Sequence, residues 1–241
     1  MRILELWRYP VKSLQGERLQ AENLGTHGVN GDRRFAIFDV ETGFGLTARR
    51  VPELLFGSAR YTSTGAVEIL LPDGTIAADD AALSGWLGRK VTLRNTDEVS
   101  SRRFESPLDF ENESGWDPFE GAQGSFRDSE RTAISLVSEV SLGGWDRRRF
   151  RSNVVLSDGG EEDLVGRRVS LGGAIIEITK QVGRCVMVTR PQPGGVDKDL
   201  DVLRTIHRER GGKMAIGAIV MLEGPVAVGD EVIVGAAPVS L

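Results

Sequence analysis

Apolar positions along the chain come in short runs of three to six residues, broken by glycine, aspartate and proline. Phe35–Phe38, Ala66–Leu71, Val91–Leu93, Val154–Leu156, Val169–Leu171, Ala174–Ile178, Val186–Val188 and Val232–Val234 are rich in β-branched residues and predict strands. Turn signals separate them at Pro72-Asp73-Gly74, Gly159-Gly160, Gly172-Gly173 and Gly229-Asp230. Gly172-Gly173 sits between two apolar runs and reads as a tight hairpin with a primed turn. Helical spacing is rarer. Asp79–Leu87 has an acidic start and apolar residues three to four apart. Ser135–Trp145 reads as helical around Leu136, Val137, Val140 and Leu142. Asp199–Ile206 carries a clear stripe that stops at Gly211-Gly212. The pattern is mainly β, a β-rich α+β chain of the barrel or sandwich kind. Thr96–Phe126 is acidic, Gly/Ser-rich and poor in aliphatics, and reads as a long connection between two β units. No internal repeat is visible.

Composition narrows the function. The 241 residues suit one large or two small domains, and 40% apolar content supplies a core. A net charge of -5 argues against nucleic acid as a partner of the whole chain. No run approaches the ~20 apolar residues of a membrane span. Met1–Trp7 has an acid inside its apolar run and no small-residue cleavage site, so no signal peptide is expected. Cys185 is the only cysteine. With the missing export signal it suggests the cytoplasm. One cysteine forms no intrachain disulfide, four-thiolate zinc site or iron–sulfur cluster. Redox chemistry here needs a borrowed metal centre and borrowed electrons.

Four constellations can carry chemistry. Tyr9-Pro10-Val11-Lys12-Ser13 places a cation and a hydroxyl side by side after a proline bend. Alone it reads equally as a surface turn. Gly31-Asp32-Arg33-Arg34-Phe35 delivers two arginines to the start of a strand, on opposite faces if alternation holds. An inward one needs an anion, either a ligand or Asp32 or Asp39. Arg147–Arg151 holds four arginines in five positions. Such runs usually form solvated faces, but Arg151 and Asn153 share one face of any strand and together suit a phosphate and a ring edge. In Gly183-Arg184-Cys185, the arginine favours a thiolate and the glycine permits close approach of a ligand. The competing reading of Cys185 is a small inert hydrophobe. His27 and His207 lack ligand spacing and read as structural. No Walker loop, GxGxxG or nucleophile elbow is present.

These elements in this order resemble the MOSC family, whose relatives include the C-terminal domain of molybdenum-cofactor sulfurase and the mitochondrial amidoxime-reducing component. Tyr9–Ser13, Gly31–Phe35 and Leu46-Thr47-Ala48-Arg49 are similar to the family's N-terminal β-barrel domain. Phe126-Arg127-Asp128, Ser138–Leu142, Arg149–Asn153, Gly183–Cys185 and Val226–Val232 resemble the MOSC domain proper. The implied fold is a MOSC β-barrel with peripheral helices plus an N-terminal β-barrel domain. The implied layout is 1–98 for the first, 99–126 as connection and 127–241 for the second, with a cofactor groove between them. By the same resemblance Cys185 matches the molybdenum-ligating cysteine and Asp128 an acid near the metal. Lys12, Ser13, Arg34, Ser129, Arg151, Asn153, Gly183 and Arg184 match positions around molybdopterin and its phosphate. The chain departs from the family at Ser129, where a proline often follows shortly after the Asp.

The resemblance implies a molybdenum–molybdopterin oxidoreductase that takes oxygen from small N-hydroxylated compounds. Electrons would come from a separate ferredoxin-like protein or flavin reductase. Two alternatives stay open. One is a sulfur carrier with a persulfide on Cys185. The other is a non-catalytic binder of an anionic pterin or pyridoxal phosphate.

Overall fold

The computed structural model describes residues 1–109 and 113–235. Its centre is an eight-stranded sheet. The spatial order is Val232–Val234, Arg168–Leu171, Ala174–Gly183, Lys213–Leu222, Ile134–Ser138, Val154–Leu156, Ile3–Arg8, Glu17–Leu19. Neighbours are antiparallel except Ile134–Ser138 with Val154–Leu156. The sheet curls round on itself. Ile3 N donates to Asp230 O at 2.9 Å, Val232 N to Met1 O at 3.0 Å, and Arg2 bridges Glu231. Curling protects edges that would otherwise be free to pair. Ile3, Leu6, Leu136, Val154, Leu156, Ile176, Ile178 and Ile216 fill the inside.

Alternation explains the long strand: Ala174, Ile176 and Ile178 are buried and the residues between them half-exposed. Gly172-Gly173 is the expected two-residue turn between Leu171 and Ala174, with positive φ at Gly172 alone, the sign pattern of type II′. Val154–Leu156 is buried throughout. Val154 and Leu156 face the barrel, whereas Val155 packs outside it with Val202, Leu203 and Ile206 of the helix Leu200–Arg210. Burying each of those three contributes on the order of 1.5–3 kcal/mol before chain entropy is subtracted. Asp199 caps this helix and Gly211, at φ 57, ends it.

Three expectations change. Ser135–Trp145 is not one helix: the strand Ile134–Ser138 precedes a single turn, Glu139–Leu142, capped by Ser138. Leu136 faces the barrel and Val137 the helix cluster, so a strand buried on both faces mimicked helical spacing. Val186–Thr189 is a 3-10 turn rather than a strand, closed by Val188 N donating to Cys185 O and Thr189 Oγ1 to Val186 O. Thr96–Phe126 is not a plain connection. It contains the hairpin Arg103–Asp109 with Ser114–Glu120. Phe104 packs on Phe119, Phe38 and Phe126 with ring centroids 5.8–6.2 Å apart, so aromatics supply the burial that aliphatics usually do.

The remaining strands pair Phe35–Asp39 with Val91–Asn95, and Ser58–Tyr61 with Val67–Leu70. They enclose a second cluster with Val11, Leu14, Ile37, Leu54 and Leu55. Asp80–Leu87 is helical as expected, with Asp79 as its cap. Ala21–Gly25 pairs with Gly224–Ala227. The strands Ile3–Arg8 and Ala21–Gly25 therefore pair with strands from the far half of the chain, and the sheets do not divide at residue 98. Among the described residues no helix is long and apolar enough to cross a membrane.

Candidate functional site

A cleft of about 460 Å³ opens where the barrel meets the second cluster. Lys12, Ser13, Asp128, Ser129, Arg151, Asn153, Gly183, Arg184 and Cys185 all line it, brought together from four separated segments. Arg34 does not. It faces a larger cleft of about 670 Å³ with His27 and Tyr61, and pairs with Asp97 at 2.6 Å. The two adjacent arginines line different clefts; Arg33 has φ +50 and precedes the strand, which starts only at Phe35. Arg33 turns into the smaller cleft, pairs with buried Asp32, and donates to Arg151 O at 3.0 Å.

Asp128 organises one wall. Its two oxygens receive Lys12 Nζ and Arg49 Nη2. Lys12 also donates to Phe126 O at 2.7 Å and lies 4.3 Å from the Phe104 ring centroid. Enclosure works against the Asp128 charge, but Lys12 and Arg49 outweigh it and hold the carboxyl well below the usual range. That wall leaves 41% of its side chain exposed, so solvent moderates the effect. An ionised Asp128 is a positioner of two cations rather than a ready proton donor. Burial pushes Lys12 down, with Asp128 opposing. Burial also works against the Arg49 charge, but Asp128 and then the Cys185 sulfur overcome it and keep the guanidinium firmly protonated. Arg49, in Leu46-Thr47-Ala48-Arg49, is thus a site residue that the sequence motif contained without revealing its partners.

The opposite wall is built differently. Arg151 donates to Leu14 O and lies over the Tyr9 ring. Arg127 donates to the carbonyls of His27 and Ala133, and Arg149 to those of Val188, Arg190 and Asp197. Arg184 donates to Met214 O at 2.7 Å and Phe150 O at 3.1 Å. Burial pushes Arg127, Arg151 and Arg184 down to about 10. Among the described residues, eight lysines and arginines line the cleft against one acid, Asp128. Carbonyls satisfy hydrogen bonds but cancel no charge, so the cleft retains a positive field. Asn153 lines the wall, yet its amide is already engaged: Oδ1 accepts from Ser135 N at 3.2 Å and Nδ2 donates to Trp7 O at 3.3 Å. It braces three strands. Ser13 Oγ accepts from Ala48 N, which leaves its hydrogen free to donate.

Cys185 is a free, half-buried thiol between the end of the long strand and the 3-10 turn. Two observations fit an anionic cofactor here. Thr47 Oγ1, Arg49 Nε, Arg127 Nε, Thr132 Oγ1 and Arg184 Nη2, all on lining residues, have no protein partner. Gly183 lacks positive φ, and a Cβ there meets nothing, so the protein itself gives no steric reason for a glycine at this wall.

Residues 1–111 match the MOSC N-terminal beta barrel domain and residues 125–233 match the MOSC domain. The chain belongs to the MOSC family. Among solved structures it is similar to the YUAD protein from Bacillus subtilis (14% identity, 97% of this chain and 94% of that one, TM-score 0.43). It is also similar to YiiM from Geobacillus stearothermophilus (16% identity, 59% of this chain and 76% of that one, TM-score 0.38). No curated protein matches the chain.

Proposed function

We propose that the chain binds a molybdenum–molybdopterin cofactor in the Cys185 cleft and reduces small N-hydroxylated compounds with electrons from a separate donor protein. The observation that carries this reading is a single half-buried thiol in a cleft where, among the described residues, eight cations face one acid. A pterin phosphate and dithiolene are anionic and match that field. Among the described residues no group of three His, Cys, Asp or Glu is placed to hold a metal, so a metal at Cys185 takes its other ligands from the cofactor.

Cys185 Sγ is the protein's donor to the metal. Arg151 and Arg33 hold negative charge on one wall, and the Ser13 hydroxyl donates beside them. Gly183 admits the ligand close to the backbone. Arg49 steadies the sulfur, and Asp128 keeps Arg49 and Lys12 in place. Lys12 is engaged by Asp128 and Phe126 O, which argues against a Schiff base with pyridoxal phosphate. When bound, the cofactor supplies a metal that accepts an oxygen atom from an N–OH group.

The test is molybdenum and pterin content of protein made in a host that synthesises the cofactor, with Cys185→Ser alongside. Near-stoichiometric metal and pterin, with metal disturbed in the variant, are expected. Neither metal nor pterin, with sulfane sulfur on Cys185, would move the assignment to sulfur transfer. Turnover with NADH alone would remove the donor protein from the scheme.

A further inference from the structure

The cleft's cations differ in how they are held. Lys12 and Arg49 share Asp128, Arg33 has Asp32, and Arg127, Arg149, Arg151 and Arg184 are locked onto carbonyls. Lys180 is the exception. It is half-buried, it lines the cleft, and its ammonium has one hydrogen-bond partner, the neutral Ser129 hydroxyl at 3.0 Å. Ser129 directly follows Asp128, and Lys180 lies five residues before Cys185, on the strand Ala174–Gly183 that leads to it. Thr132 lines the same corner with a hydroxyl that has no partner. The corner therefore offers an ammonium and two hydroxyls, and no acid. A flexible stem with an uncancelled charge is the arrangement that reaches for an incoming anion, whereas a guanidinium pinned by carbonyls cannot move to meet one.

We propose that Lys180, with Ser129 and Thr132, forms a subsite that selects substrates bearing a carboxylate. The subsite rests on the oxidoreductase reading for its substrate class, and it adds which members of that class are preferred. Lys180 is a specificity residue that touches the remote anionic end of the substrate and takes no part in the N–OH chemistry. The charge-assisted contact replaces a hydroxyl partner, which sets the size of the gain.

The experiment compares an amidoxime carrying a para-carboxylate with its uncharged para-carboxamide analogue, using the cofactor-loaded full chain and an artificial electron donor. The carboxylate should have a KM lower by about tenfold, at similar kcat. In Lys180→Met that KM ratio should collapse towards one, and Lys180→Arg should restore part of it. Lys90→Met, an exposed lysine outside the cleft, should keep the full ratio and so control for loss of one positive charge. A second readout needs no turnover: benzoate should bind the loaded chain more tightly than benzamide by calorimetry, and Lys180→Met should remove the difference. Equal KM values for both substrates in the wild type, or an unchanged ratio in Lys180→Met, would overturn the subsite. Absence of turnover for either substrate would instead count against the oxidoreductase reading, and the benzoate comparison would still decide the subsite.

Discussion

The cleft beside Arg34 holds about 670 Å³ and the one beside Cys185 about 460 Å³, but their charges are arranged in opposite ways. At the larger, Arg8 is paired with Glu17 and Glu22 at 2.9 and 2.8 Å, and Arg34 with Asp97. At the smaller, four guanidiniums lean on carbonyls and one acid serves two cations. A fold that pairs each cation with an acid asks nothing of a ligand. A fold that desolvates cations without cancelling them is costly until an anion arrives. Uncancelled charge, rather than volume, marks the site.

Substitutions can break that contrast. The largest effect should follow Cys185→Ser, which removes the soft donor and little else. Turnover of an N-hydroxylated substrate should fall on the order of a thousandfold, while the melting temperature moves by no more than about 3 °C. Steady-state assays beside thermal melts decide it, and retained activity would dismiss the thiol's role.

Asp128→Asn comes next, because it leaves Lys12 and Arg49 facing each other. The cost should be roughly 2 kcal/mol by denaturant unfolding, below the ~3–5 kcal/mol of a fully enclosed pair because the carboxylate is partly exposed. The carboxyl is held below its unfolded value, so its contribution is complete above about pH 5 and is lost progressively as pH falls from the unfolded value towards the folded one. The gap between wild type and variant should thus be flat from about pH 5 to 8 and narrow in acid. A gap that widens in acid would contradict the ion triad.

Arg151→Ala should lower cofactor content severalfold by elemental analysis. On the cofactor-free chain, inorganic phosphate should raise stability by about 1 kcal/mol, and by less in Arg151→Ala. Strong salt should weaken the effect. Arg34→Ala should do least, under about 0.5 kcal/mol in stability and nothing to cofactor content. Equal cofactor loss in the Arg34 and Arg151 variants would erase the distinction between the clefts.

Much of the fold was legible because burial on one face writes alternation into the sequence, as at Ala174–Ile178. It failed where burial was two-sided or aromatic. Ile134–Ser138 lies between two clusters, and Phe104 and Phe119 anchor a hairpin that charge had disguised. The site was legible as a set of residue types around Cys185, and the family's motifs placed nearly all of them on one cleft. Two things were not. The positive φ at Arg33 swaps the roles of two adjacent arginines, and no local pattern announces it. Arg49 and Lys180 acquire their meaning from partners more than fifty residues away, as Arg127 does in part through His27, which spacing cannot reveal.

The seam that ties Met1–Ile3 to Asp230–Val232 bears on how the molecule comes into being at the ribosome. The strand Ile3–Arg8 is made well before its neighbours at Val154–Leu156 and Glu231. Until then its apolar side chains wait without a barrel, exposed to chaperones and to one another. Long-range pairing of this kind slows folding, since distant ends must meet before contacts repay the loss of chain freedom. A fragment cut at residue 98 should therefore be insoluble on its own. Circular permutants that join the seam and open a surface turn, such as Pro72-Asp73-Gly74, should fold faster than the natural order.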